Sequence, residues 1–176
     1  MIVNTIKKIV DTWLGHSSQH LQGMQNIIDE AHYEYTQGQV FEQLAFEHHQ
    51  AFQSNTINAV LGDDQSVHNN RNAMWNFLSA ALKGHSEAQY KLGLGYLQGQ
   101  LGLDKNHTHA QEWLTKAAKQ GHSDAQYKLG VAYLHGQSGL DKNYTLAEEW
   151  LKEAAKQGHH EAQMTLEKAY SQLAFS

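Results

Sequence analysis

Apolar positions recur along the chain at helical spacing. Ala88, Leu92 and Tyr96 stand at i, i+4 and i+8, which places them on one face of a helix. A second run has small and apolar residues at the same kind of spacing, at Ala110, Trp113, Leu114, Ala117 and Ala118. Two amphipathic helices in succession predict a helical hairpin in which each helix buries its apolar face against the other.

The hairpin pattern is repeated 37 residues further along. The phrase GHSEAQYKLG begins at Gly84, its near-copy GHSDAQYKLG at Gly121, and a third start, GHHEAQ, at Gly158. Segments 84–120 and 121–157 are identical at 27 of 37 positions. A fixed period of this length is typical of stacked helical hairpins, so the sequence predicts a repeat array.

Turn chemistry separates the two helices of each repeat. In QGQLGLDKN, Gly99 and Gly102 can take positive φ at little cost and end the first helix. Asp104 or Asn106 then supplies an N-cap for the second helix. The segment 135–143, HGQSGLDKN, repeats this chemistry in the next unit.

The stretch EAQYKLGLGYLQGQLGLDKNHTHAQEWLTKAAKQG resembles the Sel-one-like repeat, a hairpin related to the tetratricopeptide repeat. The first copy matches the family motif at Ala88, Leu92, Gly93, Tyr96, Ala110, Trp113, Leu114, Ala117, Ala118 and Gly121. The second copy matches it at Ala125, Leu129, Gly130, Tyr133, Ala147, Trp150, Leu151, Ala154, Ala155 and Gly158. The resemblance implies an all-α, right-handed superhelical solenoid of antiparallel hairpins, and we expect about nine helices.

The resemblance is clear over about 84–170 and weak over 47–83. Before residue 47 we expect two amphipathic helices, the second starting near Ser17–Ser18. Their apolar faces are Ile2, Ile6, Ile9, Val10 and Trp13, then Leu21, Met24, Ile28, Ala31 and Tyr35. We expect one continuous domain of five segments: an N-terminal helical cap over 1–46, a degenerate repeat over 47–83, repeats over 84–120 and 121–157, and a capping helix over 158–176.

A shift of 37 residues also aligns parts of the degenerate repeat. Ala73, Phe77, Ala80 and Ala81 fall where the first clear repeat has Ala110, Leu114, Ala117 and Ala118. Ala51 falls on Ala88, whereas Asn55 and Ala59 replace Leu92 and Tyr96.

Charge divides the chain into two unequal halves. The formal net charge is −5, yet residues 1–70 carry two basic and eight acidic groups. Residues 71–176 carry eleven basic and ten acidic groups. An acidic half beside a nearly neutral half disfavours nucleic acid, whose phosphates would be repelled, and favours a basic protein partner.

The thirteen His residues do not predict a metal site. His85, His122 and His159 recur at one repeat position. Equivalent helices in such an array lie roughly 8–10 Å apart, whereas ligands of one zinc lie only about 2 Å from it. We therefore expect these side chains to be structural, and we expect neither a metal nor another cofactor.

Catalytic motifs are absent from the sequence. There is no G-x-S-x-G, no H-E-x-x-H and no phosphate-binding glycine loop. Cys-rich relatives of the Sel-one-like family have been linked to β-lactam binding or hydrolysis, and a related hydrolase is a remote alternative. This chain has no Cys, so that activity is not expected to carry over. We expect a protein that is not an enzyme.

The resemblance implies a bacterial protein–protein interaction module, for which two hypotheses remain open. The first is an immunity protein whose acidic half neutralises a basic toxin, and its candidate residues are Asp29, Glu30, Glu34, Glu42 and Glu47. The second is a peptide-binding adaptor that uses the concave face of the repeats. Its candidate residues are Gln89, Tyr90, Lys91, Leu94, Gln98, Gln126, Tyr127, Lys128, Val131 and His135.

Hydropathy bears on location. No apolar run is long enough to cross a bilayer, and the N-terminus MIVNTIKKIVDTWLG lacks the unbroken apolar core of a signal peptide. A chain without Cys fits a reducing compartment. We therefore expect a cytoplasmic protein without membrane insertion.

Overall fold

Seven helices make up the part of the chain described by the computed structural model, which gives the backbone of residues 2–54 and 64–174 and the side chains of 22–50 and 65–171. They are α1 (Ile2–Ser54), α2 (Asp64–Leu82), α3 (Ser86–Gln98), α4 (His107–Lys119), α5 (Ser123–His135), α6 (Tyr144–Lys156) and α7 (His160–Ala174). Each packs mainly against the helices before and after it. The all-α class is confirmed, although seven described helices are fewer than the nine expected.

Glycine permits the closest approach within each clear repeat. A Cβ built on Gly93 would lie 2.7 Å from Cγ of Leu114, and one built on Gly130 would lie 2.6 Å from Cγ of Leu151. The leucine of the second helix therefore rests directly on the backbone of the first. On the predicted apolar face, Ala88 and Leu92 are buried and Tyr96 is half-buried.

The helix ends follow the predicted turn chemistry. Asn106 caps α4, because its Oδ1 accepts a hydrogen bond from the His109 backbone N–H at 3.0 Å. Gly99 ends α3 with φ of +72°. Asn143 and Gly136 do the same for α6 and α5.

The first helix differs from its prediction. We expected two helices before residue 47 with a break near Ser17–Ser18, but α1 runs without interruption from Ile2 to Ser54. Gly and Ser weaken a helix without removing a backbone donor, and only proline would do that. The chain has no Pro, so nothing in this stretch forces a break.

The pair α1 and α2 makes the same kind of glycine contact, between residues that are farther apart in the chain. Phe77 of α2 is fully buried, and a Cβ built on Gly38 of α1 would lie 2.6 Å from its ring. Phe77 thus packs against Gly38 in the same way as Leu114 packs against Gly93. The alignment at 37 residues instead pointed to the region of Asn55 and Ala59, both of which lie outside the described residues.

The last helix carries a different residue at the contact position. One period after Gly93 and Gly130 comes Glu167, which is exposed. A carboxylate side chain there prevents the close approach that a second helix makes in the clear repeats. This substitution supports the proposal that α7 caps the array.

Candidate functional site

Two glutamines of the predicted concave face lie inside the array. Gln89 and Gln126 are each only 5% exposed. The Gln89 Nε2 donates to the backbone oxygen of Ala81 at 3.0 Å, and its Oε1 accepts from Gln120 Nε2 at 2.6 Å. Gln126 makes the equivalent bonds one repeat on. These side chains fasten one repeat to the next, because a buried amide is stable only when its polar atoms are paired.

The two tyrosines beside them are also used in stacking repeats. The Tyr90 ring lies 4.4 Å from that of His122, and the Tyr127 ring lies 4.5 Å from that of His159. Tyr35 of α1 stacks in the same way on His85, at 4.5 Å. Both Tyr90 and Tyr127 are therefore half-buried, with only part of each ring available to a partner.

The recurring histidines cap helices. Nδ1 of His122 accepts a hydrogen bond from the Ala125 backbone N–H at 3.3 Å, while Nε2 lies 2.8 Å from a carboxylate oxygen of Glu87 in the preceding repeat. His159 does the same with Asp124, at 3.1 Å. Each histidine thus joins an N-cap to an inter-repeat contact. Among residues with described side chains, no group of three ligand-type residues is placed to hold a metal ion.

The surroundings of the third histidine, His85, make the stability of the fold depend on pH. Burial, together with nearby His32, lowers its pKa below the ordinary value. In the unfolded chain this histidine binds its proton near pH 6.5, whereas in the folded protein it binds the proton only at a lower pH. Between about pH 7 and 5 the unfolded state therefore holds more protons than the folded state. We expect the free energy of unfolding to fall as the pH drops through that window, as measured by urea denaturation at several pH values.

The matched variant is His85→Asn, which keeps an N-cap acceptor but cannot titrate. Its stability should fall less steeply between about pH 7 and 5 than that of the wild type. An equal slope in both proteins would assign the pH dependence to another group.

The acidic candidates of α1 are divided between two environments. Glu30 and Glu34 both contact Lys83 Nζ, at 2.9 and 2.8 Å, and Glu42 contacts Lys91 Nζ at 2.7 Å. These three turn towards the following helices and are partly neutralised there. Lys91, a concave-face candidate, is occupied by the same contact.

The remaining two acids lie on the opposite side of α1. Asp29 accepts a hydrogen bond from Gln25 Nε2 at 2.8 Å, and Glu47 accepts one from Gln43 Nε2 at 2.9 Å. Both carboxylates are exposed. The five acidic candidates therefore do not form a single patch.

Of the other concave-face candidates, Gln98, Lys128 and His135 are exposed, whereas Leu94 and Val131 are half-buried. His135 and Tyr127 border a groove of about 640 Å³ between α5, the start of α6 and α7. We call this the C-terminal groove. Its walls also include Lys142, Tyr144, Met164 and Lys168.

Sequence reasoning did not identify these last four residues. Tyr144 and Met164 are 66% and 56% exposed, so the groove has apolar side chains that water reaches. Their only sequence signal is position. Tyr144 replaces His107 of the preceding repeat, and Met164 replaces Tyr127.

Part of this chain is similar in sequence to a known repeat family. The Sel1 repeat family model matches residues 86–122 and 123–159. A solved Sel1 repeat protein from Oxalobacter formigenes is 34% identical over 49% of this chain and 65% of its own, with a TM-score of 0.47. No curated protein matches the chain.

A second solved structure extends the likeness towards the N-terminus. It is a protective antigen present in uropathogenic Escherichia coli strains, described as displaying an SLR fold. It is 22% identical, covers 85% of this chain and 36% of its own, and has a TM-score of 0.55. This chain thus spans less than two thirds of either solved protein.

No described helix is both long and apolar enough to cross a membrane.

The two consecutive matches to the Sel1 repeat model coincide with the two hairpins α3–α4 and α5–α6. The chain thus contains two consecutive Sel1 repeats, each formed by one helical hairpin.

Proposed function

We propose that this chain is a non-catalytic module that holds an extended segment of a partner protein in the C-terminal groove. The observation that carries the proposal is the exposure of Tyr144, at the start of α6, and of Met164, on α7, both of which line a groove of about 640 Å³. Concave sites that combine apolar side chains with placed polar groups are common binding sites in proteins. The rigid stack behind it, clamped by Gln126 and His159, would hold the walls in place.

Charge indicates the kind of segment. Lys142 and Lys168 line the groove, and neither forms a salt bridge with any residue whose side chain is described. The one carboxylate at the groove, Glu161, lies 3.3 Å from His159 Nδ1. We therefore propose a partner segment that combines apolar side chains with an acidic group.

The experiment compares proteins captured from a lysate of the native organism by three tagged baits. The baits are the wild type, Met164→Asp, and the matched control Val67→Asp. Val67 is 53% exposed on α2, far along the chain from the groove. We expect Met164→Asp to lose a partner that the wild type and the control retain, because the new charge is desolvated on binding. Equal capture by all three baits would contradict binding in this groove.

A second candidate function is neutralisation of a basic toxin by the acidic half. The observation that favours it is the pair of exposed carboxylates, Asp29 and Glu47, each of which accepts a hydrogen bond from a glutamine amide of α1. A bait carrying Asp29→Asn with Glu47→Gln should then lose a basic protein, and capture by the wild type should weaken as salt rises. Capture of that basic protein unaffected by salt would reject steering by charge.

The proposed function includes no catalytic role. The pairs His122–Glu87 and His159–Asp124 have structural roles, because they cap helices and join repeats. We further propose a bacterial, cytoplasmic setting, which the absence of Cys supports because a reducing compartment offers no use for disulfides.

A further inference from the structure

The helix array builds the same kind of apolar pocket three times, at intervals of 37 residues. Each pocket lies between the second helix of one unit and the first helix of the next, at α2–α3, α4–α5 and α6–α7. We call them the first, second and third pockets. The walls of each include an alanine and a bulky apolar residue of the earlier helix and a leucine of the later helix. The three sets are Ala73, Phe77 and Leu92, then Ala110, Leu114 and Leu129, then Ala147, Leu151 and Leu166.

The turn that follows α3 or α5 covers the first and the second pocket. Leu101, in the turn after α3, is only 6% exposed and belongs to the buried cluster of the first pocket. It lies against α3, because a Cβ built on Gly95 would be 3.3 Å from its Cδ1. Ser138 takes the same position one period later, with φ of +57° against +59° for Leu101, and the second pocket keeps a space of about 160 Å³. A leucine-sized side chain therefore fills this kind of pocket, whereas a serine leaves part of it empty.

No such turn covers the third pocket within the described part of the chain. α3 and α5 each end at a glycine with positive φ, Gly99 and Gly136, and the turn that carries Leu101 or Ser138 comes next. α7 instead continues as a helix through position 173, the counterpart of these glycines, to Ala174. The third pocket is correspondingly larger, with a volume of about 330 Å³.

The polar groups beside the third pocket are already paired. The Tyr170 hydroxyl donates to Oε1 of Glu148 at 2.5 Å, and Lys152 Nζ lies 2.7 Å from the same oxygen. The other residues that line the pocket are aliphatic, apart from Tyr144. A polar side chain that entered would lose water without gaining a new partner, whereas an apolar one would leave water favourably.

The third pocket adjoins the C-terminal groove, because Leu134, Tyr144 and Ala169 line both spaces. We propose that the partner segment held in the groove is anchored by one leucine-sized apolar side chain in the third pocket, as Leu101 is in the first. A carboxylate of the same segment then meets the lysines that line the groove. This inference rests on the proposed function and names the side chain that the segment must carry.

The probe is a phage-displayed library of short random peptides, selected on the immobilised full-length chain. We expect the selected peptides to share one Leu, Ile or Met and at least one acidic residue. Affinities of labelled synthetic copies are then measured by fluorescence anisotropy. Replacement of the shared apolar residue of the peptide by Ala should weaken binding roughly ten- to a hundredfold, as expected for one buried apolar side chain.

Ala169→Phe tests the pocket from the side of the protein. Ala169 stands two periods after Gly95, against which Leu101 packs, so a ring there takes the place of the anchor. Binding of the selected peptides should fall by a similar factor. Ser171→Phe is the matched control, because Ser171 is exposed on α7 and lines neither the groove nor the third pocket. Its affinity should equal that of the wild type.

Two results would overturn this inference and leave the proposed function standing. In the first, Met164→Asp abolishes binding, but the peptides share no apolar residue and bind Ala169→Phe as tightly as the wild type. In the second, Phe175→Ala binds the peptides more tightly than the wild type, which would assign the pocket to the chain's own residue two periods after Leu101. If no peptide is selected, or if the selected peptides do not depend on Met164, both proposals are overturned.

Discussion

Gly130→Ala is expected to lower the free energy of unfolding by about 1–3 kcal/mol, the usual cost of overpacking a well-filled core. The added Cβ would lie 2.6 Å from Cγ and 3.2 Å from the backbone N of Leu151. The side chain could turn aside, but the backbone of α6 cannot move without disturbing the contact to α5. Urea denaturation followed by far-ultraviolet circular dichroism measures the change.

Gly23→Ala is the matched control for this substitution. Gly23 also lies in a helix, but a Cβ there would meet nothing within 4 Å. Alanine at an open helical position raises helix stability by roughly 0.5–1 kcal/mol. The free energy of unfolding should therefore be unchanged or slightly higher. If Gly130→Ala were as harmless as Gly23→Ala, α5 and α6 could not be in close contact at Gly130 and Leu151.

Phe77→Ala should destabilise the protein more than Gly130→Ala does, with a loss of about 3–5 kcal/mol in the free energy of unfolding. Phe77 is completely buried and packs on Gly38, and its ring is tilted against that of Tyr35 with the centroids 5.8 Å apart. Removing the ring leaves a cavity at the junction of α1, α2 and α3. The same denaturation experiment tests this value.

Trp75→Ala serves as the control two positions away. Trp75 is equally aromatic and larger, but it is 60% exposed. Its removal should change the free energy of unfolding by no more than about 1 kcal/mol, because most of the ring is already in water. A similar loss for both variants would mean that the N-terminal hairpin is not packed around Phe77.

Gly130→Ala and Phe77→Ala both test one packing contact that occurs three times in the protein. Gly38 with Phe77, Gly93 with Leu114 and Gly130 with Leu151 place a bulky side chain on a helix backbone. The first of these pairs escapes sequence comparison at a period of 37 residues, since its partners are much farther apart along the chain. Its recognition extends the packing rule of the two Sel1 repeats into the diverged half.

Residues that look like binding residues in a single repeat serve to connect repeats in this chain. Gln89, Tyr90 and His122 recur one period later because the contact between neighbouring hairpins recurs. Identity between repeats therefore marks the stacking surface. Surfaces that differ between repeats, such as those of Tyr144 and Met164, are the better candidates for a specific partner.

Local chemistry determined much of this protein directly from the sequence. Spacing alone predicts the features that depend on residues close together in the chain. These are the 37-residue period, the hairpins from Ser86 to Lys156, the Asn106 cap and the Gly99 turn. Only the tertiary structure decided which faces are covered. The other features depend on residues that are distant in sequence. They are the continuous α1, the Gly38–Phe77 contact, the pairing of Glu42 with Lys91 and the open C-terminal groove. The physical reason is that burial and charge pairing depend on which helix packs against a given face. A helical pattern shows which face of a helix is apolar, but it does not show which other helix covers that face.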